Sequence, residues 1–133
     1  MPIKDYFEHT KGIGVLSTAD SAGQVDAAIY ARPHFMDDGT IAFIMRDRLT
    51  HHNLGENLSA VYLFIEDGHG YKGVRLYLKK VKEDTNPELL AQLTRRCLSP
   101  EDDAAKGSKF LVYFAVKKTL ALIGSDSPQF RMA

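Results

Sequence analysis

The sequence predicts a mainly β protein, in which about six antiparallel strands form a β-barrel with short helices at its ends. Strand-like segments rich in β-branched and aromatic residues recur along the 133-residue chain, whereas helical periodicity is confined to short stretches. The early strand segments are joined by turns that are too short for the crossover connections of parallel strands. An antiparallel barrel accommodates these segments, and a chain of this length is expected to form one domain, residues 1–133.

The first half of the chain is predicted to contain one helix and three strands. Apolar residues at helical spacing predict a short helix over about residues 2–11, with Gly12 available to end it. The strands, separated by turn residues, are predicted over Ile13–Thr18, Val25–Phe35 and 40–46. Pro33 lacks an N–H donor, which favours an edge position or a bulge within the second of these strands.

The second half is predicted to alternate helices and strands. Thr50 is the predicted N-cap of a short helix that ends near Asn57. Asn86 is predicted to cap the next helix, with Pro87 at its first position and Cys97 packed on its apolar side. The strands are predicted over 59–66, 74–84 and, as one long strand or two, 109–124, before a tail over about 125–133.

Composition excludes several classes of function. Lys+Arg and Asp+Glu are both 17, so a nucleic-acid binder held by bulk charge is not expected. The single cysteine excludes an intrachain disulfide and argues against a cysteine-based metal site. No apolar run reaches the roughly 18 residues that a membrane span requires, and the first residues contain no hydrophobic signal region. We therefore expect a cytoplasmic protein with no nucleic-acid or membrane partner.

A basic and polar segment, residues 46–53, joins the third predicted strand to the following helix. Because helix N-termini attract anions, this segment is either an anion site or a solvated loop. His51 and His52 point in different directions on a helix and have no Cys or Glu at ligand spacing, so no metal site is predicted. The chain also lacks a nucleophile elbow of the form Gly-x-Ser-x-Gly, and no catalytic residue is identified.

Three segments, in this order and spacing, resemble the pyridoxamine 5′-phosphate oxidase-like family of FMN-binding split barrels: VDAAIYARPHFMDDGTIAFIMR, DRLTHHNLGEN and SAVYLFIE. The resemblance extends over about residues 3–124, with its specific part at about 25–80. It implies a six-stranded antiparallel split barrel, and a homodimer with one FMN at each of two sites between the subunits. Because the cofactor carries the chemistry in such proteins, it also implies an oxidoreductase that acts on an unidentified small substrate.

The resemblance further implies which residues hold the cofactor. The implied phosphate ligands are Arg48, Thr50 and His51, with Arg46 and Asn53 as weaker candidates. The implied flavin-flanking residues, acting largely through backbone groups, are Ile29, Tyr30, Ala31, Arg32, Pro33, Phe43, Ile44 and Met45. Many family members have arginine where Leu49 stands and lysine where Thr50 stands, so here the phosphate would depend on the remaining cations and the Thr50 hydroxyl.

Other interpretations of the same segments remain open. The protein could be a flavin-binding electron carrier or sensor without turnover, or a split barrel that holds haem or a deazaflavin. Tyr30, Arg32 and His34 alternate along the predicted second strand as a polar row that faces either the flavin or the solvent. A cation from Arg32 beside the flavin ring would stabilise the reduced cofactor.

Overall fold

The computed structural model describes residues 2–93 and 108–124, together with Asp126 and Pro128. Cys97 and most of the predicted tail lie outside these residues. The described chain contains three helices and seven strands, in the order α1 (Ile3–His9), β1 (Gly12–Ala19), β2 (Val25–Tyr30), β3 (His34–Phe35), β4 (Ile41–Arg46), α2 (Leu49–Glu56), β5 (Ser59–Glu66), β6 (Gly73–Asp84), α3 (Pro87–Leu93) and β7 (Lys109–Ala121).

The strands form one antiparallel sheet in the order β2–β1–β5–β6–β7–β4–β3. Tyr30 of β2 and Phe43 of β4 are far apart in this order, yet their ring centroids are only 6.0 Å apart. The sheet therefore curls into a half-barrel, and its concave face encloses the core. The largest fully buried side chains of the described chain include Tyr62, Phe64, Phe114, Leu16 and Leu76.

Buried and exposed residues alternate along the strands, as the sequence predicts, and the buried residues form this core. On β5, Ala60, Tyr62 and Phe64 are buried in the barrel while their neighbours face outward. A second apolar cluster lies on the other face of the sheet, where Leu90 of α3 packs with Leu111 of β7. The predicted cap of α3 is confirmed, because the Asn86 side-chain oxygen accepts the Glu88 N–H at 2.9 Å.

The seventh strand arises because the segment predicted as one strand, Val25–Phe35, is divided. β2 ends at Tyr30, and β3 begins at His34 on the opposite edge of the sheet. Pro33 lies in the break, since it cannot donate to a strand ladder and restricts the residue before it. A polar row of Tyr30, Arg32 and His34 along a single strand is therefore not formed.

Two further predictions concern the last strand and the start of α2. The segment that was expected as one long strand or two is a single strand, β7, which is bulged against β6 near Leu78. The predicted N-cap at Thr50 is wrong: α2 begins at Leu49, and Arg48 is the N-cap without a side-chain cap hydrogen bond. None of the helices in the described ranges is long and apolar enough to cross a membrane.

Candidate cofactor site

Helix α2 lies over the seam between β2 and β4, and it contacts both of these strands as well as β1. β2 and β4 are not neighbours in the sheet, so hydrogen bonds between strands do not close this seam. The helix buries Thr50, Asn53 and Leu54 against the barrel. Most of the residues that the sequence implicates in cofactor binding come from β2, β4 and α2, and the fold brings these elements together here.

Tyr30, Thr50 and Arg48 form a polar cluster at the seam, called here the Tyr30–Thr50–Arg48 cluster. The Thr50 hydroxyl and the positive charge of Arg48 both act on the Tyr30 hydroxyl, and each lowers its pKa. Burial raises the pKa of Tyr30 above its usual value, while the Thr50 hydroxyl and the Arg48 charge oppose this rise. Tyr30 is therefore held as a neutral phenol near neutral pH.

Arg48 is the exposed cation of this cluster. Within the part of the chain that the structure describes, its guanidinium makes no side-chain hydrogen bond or ion pair. A guanidinium that is free to bind, beside two hydroxyl groups and a helix start, is a donor set suited to a phosphate group. Among the described residues, Arg48 forms no ion pair with the neighbouring carboxylates of Asp47 and Glu56.

Strand β4 contributes an open backbone edge to the same seam. The short strand β3 pairs only with Ile41 and Ala42 of β4. Antiparallel ladders alternate, so the N–H and C=O of Ile44 point to the side of β3 and have no strand partner in the described ranges. The side chains of Phe43 and Met45 are buried in the core, so these two residues can offer a ligand only their backbone groups.

His51 does not join the Tyr30–Thr50–Arg48 cluster, because its ring is turned toward β6 and β7. Its Nε2 lies 3.0 Å from the carboxylate of Glu83, and its Nδ1 lies 3.5 Å from that of Asp47. The adjacent His52 is exposed and lies 3.4 Å from Glu56. Both ring nitrogens of His51 are thus close to carboxylates, and its position fixes α2 to the sheet.

Asn53 and Arg32 also have structural partners in this structure. The buried Asn53 amide donates to the Thr18 hydroxyl at 3.1 Å, which joins α2 to β1. The Arg32 guanidinium donates to the carbonyl oxygens of Phe7 at 2.8 Å and Thr10 at 3.3 Å, and so caps the C-terminal end of α1. Of the remaining implied residues, Ile29 is exposed on the outer face of β2, Ala31 follows the end of β2, and Arg46 ends β4.

Tyr62 is a residue that the sequence analysis did not connect with the site. It is fully buried, and its hydroxyl donates to the carbonyl oxygens of Tyr30 at 3.2 Å and Ala31 at 3.1 Å. The alternating pattern of β5 predicts Tyr62 only as a core residue. The sequence did contain one signal of this role, the tyrosine hydroxyl, because a buried tyrosine usually finds a hydrogen-bond partner.

No family model and no curated protein matches this chain. Solved structures do match it. An FMN-binding protein from Syntrophomonas wolfei has a TM-score of 0.64 at 18% identity, covering 89% of this chain and 82% of its own. A proposed pyridoxamine 5′-phosphate oxidase from Lactobacillus delbrueckii has a TM-score of 0.64 at 13% identity, with 88% of each chain covered. The heme storage protein HutZ from Vibrio cholerae has a TM-score of 0.64 at 16% identity, covering 90% of this chain and 91% of its own.

At these identities the similarity concerns the fold. The chain has the split-barrel fold of the pyridoxamine 5′-phosphate oxidase-like proteins, as its sequence segments predict. Proteins with this fold include an FMN-binding protein and a heme storage protein. These two proteins bind different cofactors, so the shared fold does not specify one for this chain.

Proposed function

We propose that this protein binds FMN at the seam between β2 and β4 and acts as an oxidoreductase on a small substrate. The observation that carries the proposal is the Tyr30–Thr50–Arg48 cluster, in which an available guanidinium lies beside two hydroxyl groups at the start of α2. These are donors that suit a phosphate. The bound flavin would supply hydride or electron transfer, while the polypeptide binds and orients it.

In this proposal Arg48 and Thr50 bind the phosphate directly, and Arg46 adds positive charge from the end of β4. We assign His51 and Asn53 to holding α2 in place, because their side chains contact Glu83 and Thr18. The flavin ring would lie along the seam, with the Ile44 backbone edge on one side and the end of β2 on the other. This arrangement uses the backbone of β4, whose Phe43 and Met45 side chains are buried.

We also propose a homodimer, with the cofactor sites at its interface. Val25 and Ile29 of β2 are 84% and 71% exposed, and Ile13 of β1 and Ile65 of β5 are 55% and 38% exposed. Strand register pairs Ile13 with Ile65 and places β1 between β2 and β5, so these residues share the outer face of three adjacent strands. A contiguous apolar surface is typical of an interface, and Ile29 joins it to the cofactor seam.

Haem is the second candidate, and the fold shared with HutZ favours it. The donor set at the seam, an arginine and two hydroxyl groups, suits a haem propionate as well as a phosphate, so it does not separate the two cofactors. Haem would require an axial ligand, most commonly a histidine. His51 is the histidine nearest the cluster in sequence, and its ring nitrogens lie against Asp47 and Glu83. These contacts occupy the nitrogens that an axial ligand needs, and this favours FMN over haem.

The absorption spectrum of the purified protein tests the proposal. FMN predicts flavin bands whose chromophore is released on denaturation, whereas haem predicts a Soret band. If the protein is purified without cofactor, added FMN should lose fluorescence on binding; no quenching, and no flavin in the purified protein, would overturn the proposal. Anaerobic NADH or NADPH then tests for turnover, because a nicotinamide-dependent reductase bleaches its flavin; if neither bleaches it, direct nicotinamide-dependent reductase activity is excluded.

A further inference from the structure

Tyr62 reaches the end of β2 by crossing beneath an intervening strand. β1 lies between β5, which carries Tyr62, and β2. In the strand register Tyr62 is opposite Leu16 of β1, and Tyr30 of β2 is opposite Gly14, two residues away. The Tyr62 side chain therefore runs diagonally inside the barrel, past Gly14, to the carbonyl oxygens of Tyr30 and Ala31.

Gly14 provides the space for this crossing. A Cβ atom at this position would lie 1.8 Å from the Tyr62 hydroxyl oxygen and 2.3 Å from Cζ. Both distances are far below any van der Waals contact, so an alanine would push the hydroxyl away from β2. The requirement for glycine comes from this close approach, since Gly14 is not among the glycines with a positive φ angle.

The Tyr62 hydroxyl binds the backbone at the point where the chain leaves the sheet after β2. The carbonyl groups of successive strand residues point in opposite directions, yet those of Tyr30 and Ala31 both accept from the same hydroxyl. This shared bond fixes the turn of the chain immediately after β2. It also fixes the backbone of Tyr30, whose own hydroxyl belongs to the Tyr30–Thr50–Arg48 cluster.

Ring contacts connect the same residues. Phe43 of β4 lies with its ring centroid 4.9 Å from that of Tyr62 and 6.0 Å from that of Tyr30. The Tyr62 hydroxyl thus holds the backbone of Tyr30, and the edge-to-face contact with Phe43 holds its ring. Neither contact involves the hydroxyl of Tyr30, which remains directed to Thr50.

We infer that Tyr62 is a positioning residue for the cofactor seam: its hydroxyl anchors the end of β2 and thereby places Tyr30 in the phosphate-binding cluster. This inference rests on the proposed FMN site. It requires that removal of one buried hydroxyl, remote from any flavin contact of its own, weakens the cofactor through the β2 backbone. A purely structural Tyr62 would instead contribute to the barrel core without a specific effect on FMN.

The test compares Tyr62→Phe with Tyr113→Phe in the full-length protein. Tyr113 is also buried, but it lies in the cluster on the opposite face of the sheet, so its variant removes the same group from outside the barrel core. Two quantities are measured for each protein: the dissociation constant for FMN, and the hydrogen-exchange rates of the Ala31 and Arg32 amides without FMN.

We expect Tyr62→Phe to weaken FMN binding about tenfold and to speed exchange at Ala31 and Arg32, with neither change in Tyr113→Phe. The inference is overturned, and the proposed function is not, if Tyr62→Phe keeps the wild-type affinity and exchange rates. The same holds if Tyr62→Phe changes only one of these two quantities. It also holds if Tyr113→Phe shows the same changes as Tyr62→Phe. A wild-type protein that binds no FMN overturns the proposed function together with the inference.

Discussion

The imidazole ring of His51 stacks on the ring of Phe110, with centroids 3.9 Å apart and planes 14° from parallel. The same imidazole lies 3.0 Å from the Glu83 carboxylate on β6. Because His51 directly follows Thr50, this contact attaches the start of α2 to β6 and β7. The phosphate-binding cluster that we propose is thus held from β6 and β7, although it faces β2.

The contact of His51 with Glu83 predicts a pH-dependent contribution to stability. Burial raises the pKa of the Glu83 carboxyl, but the hydrogen bonds and charges of Lys80 and His51 outweigh this effect and hold the pKa below its usual value of 4.5. A carboxyl whose pKa is lowered by folding stabilises the protein above the unfolded-state pKa. That contribution is lost as the pH falls from this value through the folded-state pKa.

Glu83→Gln should therefore lower the free energy of unfolding near neutral pH and change it less in acid, below the folded-state pKa. Urea unfolding of the variant and the wild type at neutral pH and in acid measures the difference. Glu8→Gln is the control, since it removes only an exposed pair with Lys4 at 3.9 Å and should cost less than about 1 kcal/mol. An equal loss at both pH values for Glu83→Gln would contradict the assignment.

Arg48→Ala should weaken FMN but not riboflavin, because only FMN carries the phosphate. The loss of one charged hydrogen-bond partner costs about 1.5–3 kcal/mol, or roughly ten- to a hundredfold in the dissociation constant. Fluorescence titration with both flavins measures the ratio. Lys4→Ala, which removes an exposed cation from α1, should leave both affinities unchanged. Equal weakening of FMN and riboflavin by Arg48→Ala would mean that the phosphate binds elsewhere.

Gly14→Ala should destabilise the protein, because the new methyl group meets the Tyr62 ring and hydroxyl. Overpacking of this kind costs about 1–3 kcal/mol. The matched control is Gly55→Ala on α2, where a Cβ would meet no atom within 4 Å. There the same substitution should raise stability by about 0.5–1 kcal/mol, since glycine is a poor helix former. Thermal unfolding of both variants measures these changes in stability. Unchanged stability in Gly14→Ala would contradict the close approach of Tyr62 to Gly14.

Ile29→Glu should dissociate the proposed homodimer, because it buries a charge in an apolar interface. Sedimentation equilibrium should give a dimer for the wild type and mainly monomer for the variant. Val81→Glu is the control: Val81 is 57% exposed but lies on β6, outside the outer face of β2, β1 and β5. A variant that keeps the wild-type mass would exclude Ile29 from the interface.

The sequence predicted the strands well because their alternating apolar residues reflect burial on one face, as on β5 and β6. The meeting of β2, β4 and α2 was implied by a resemblance to a known family, since nothing in the local pattern specifies it. The break at Pro33 was underestimated: proline was expected at an edge or bulge, whereas the chain leaves the sheet there and re-enters on its other edge.

Local sequence patterns did not predict which residues a side chain reaches across the barrel. Whether Tyr62 reaches Tyr30 depends on the register of β5 with β1 and of β1 with β2, and on the absence of a side chain at Gly14. The direction of His51 likewise depends on Phe110, which is distant in sequence and enters through β7. Contact partners of this kind are determined by tertiary packing, so the order of helices and strands along the chain does not predict them.

The place of β2 at the edge of the sheet has a consequence for solubility. Its outer side chains include Val25 and Ile29, and its far side has no strand neighbour in the described chain. A subunit outside the homodimer that we propose would expose apolar side chains and unpaired backbone groups on the same strand, which together favour intermolecular strand pairing. Weakened assembly is therefore expected to appear first as precipitation that depends on protein concentration, before the barrel itself unfolds.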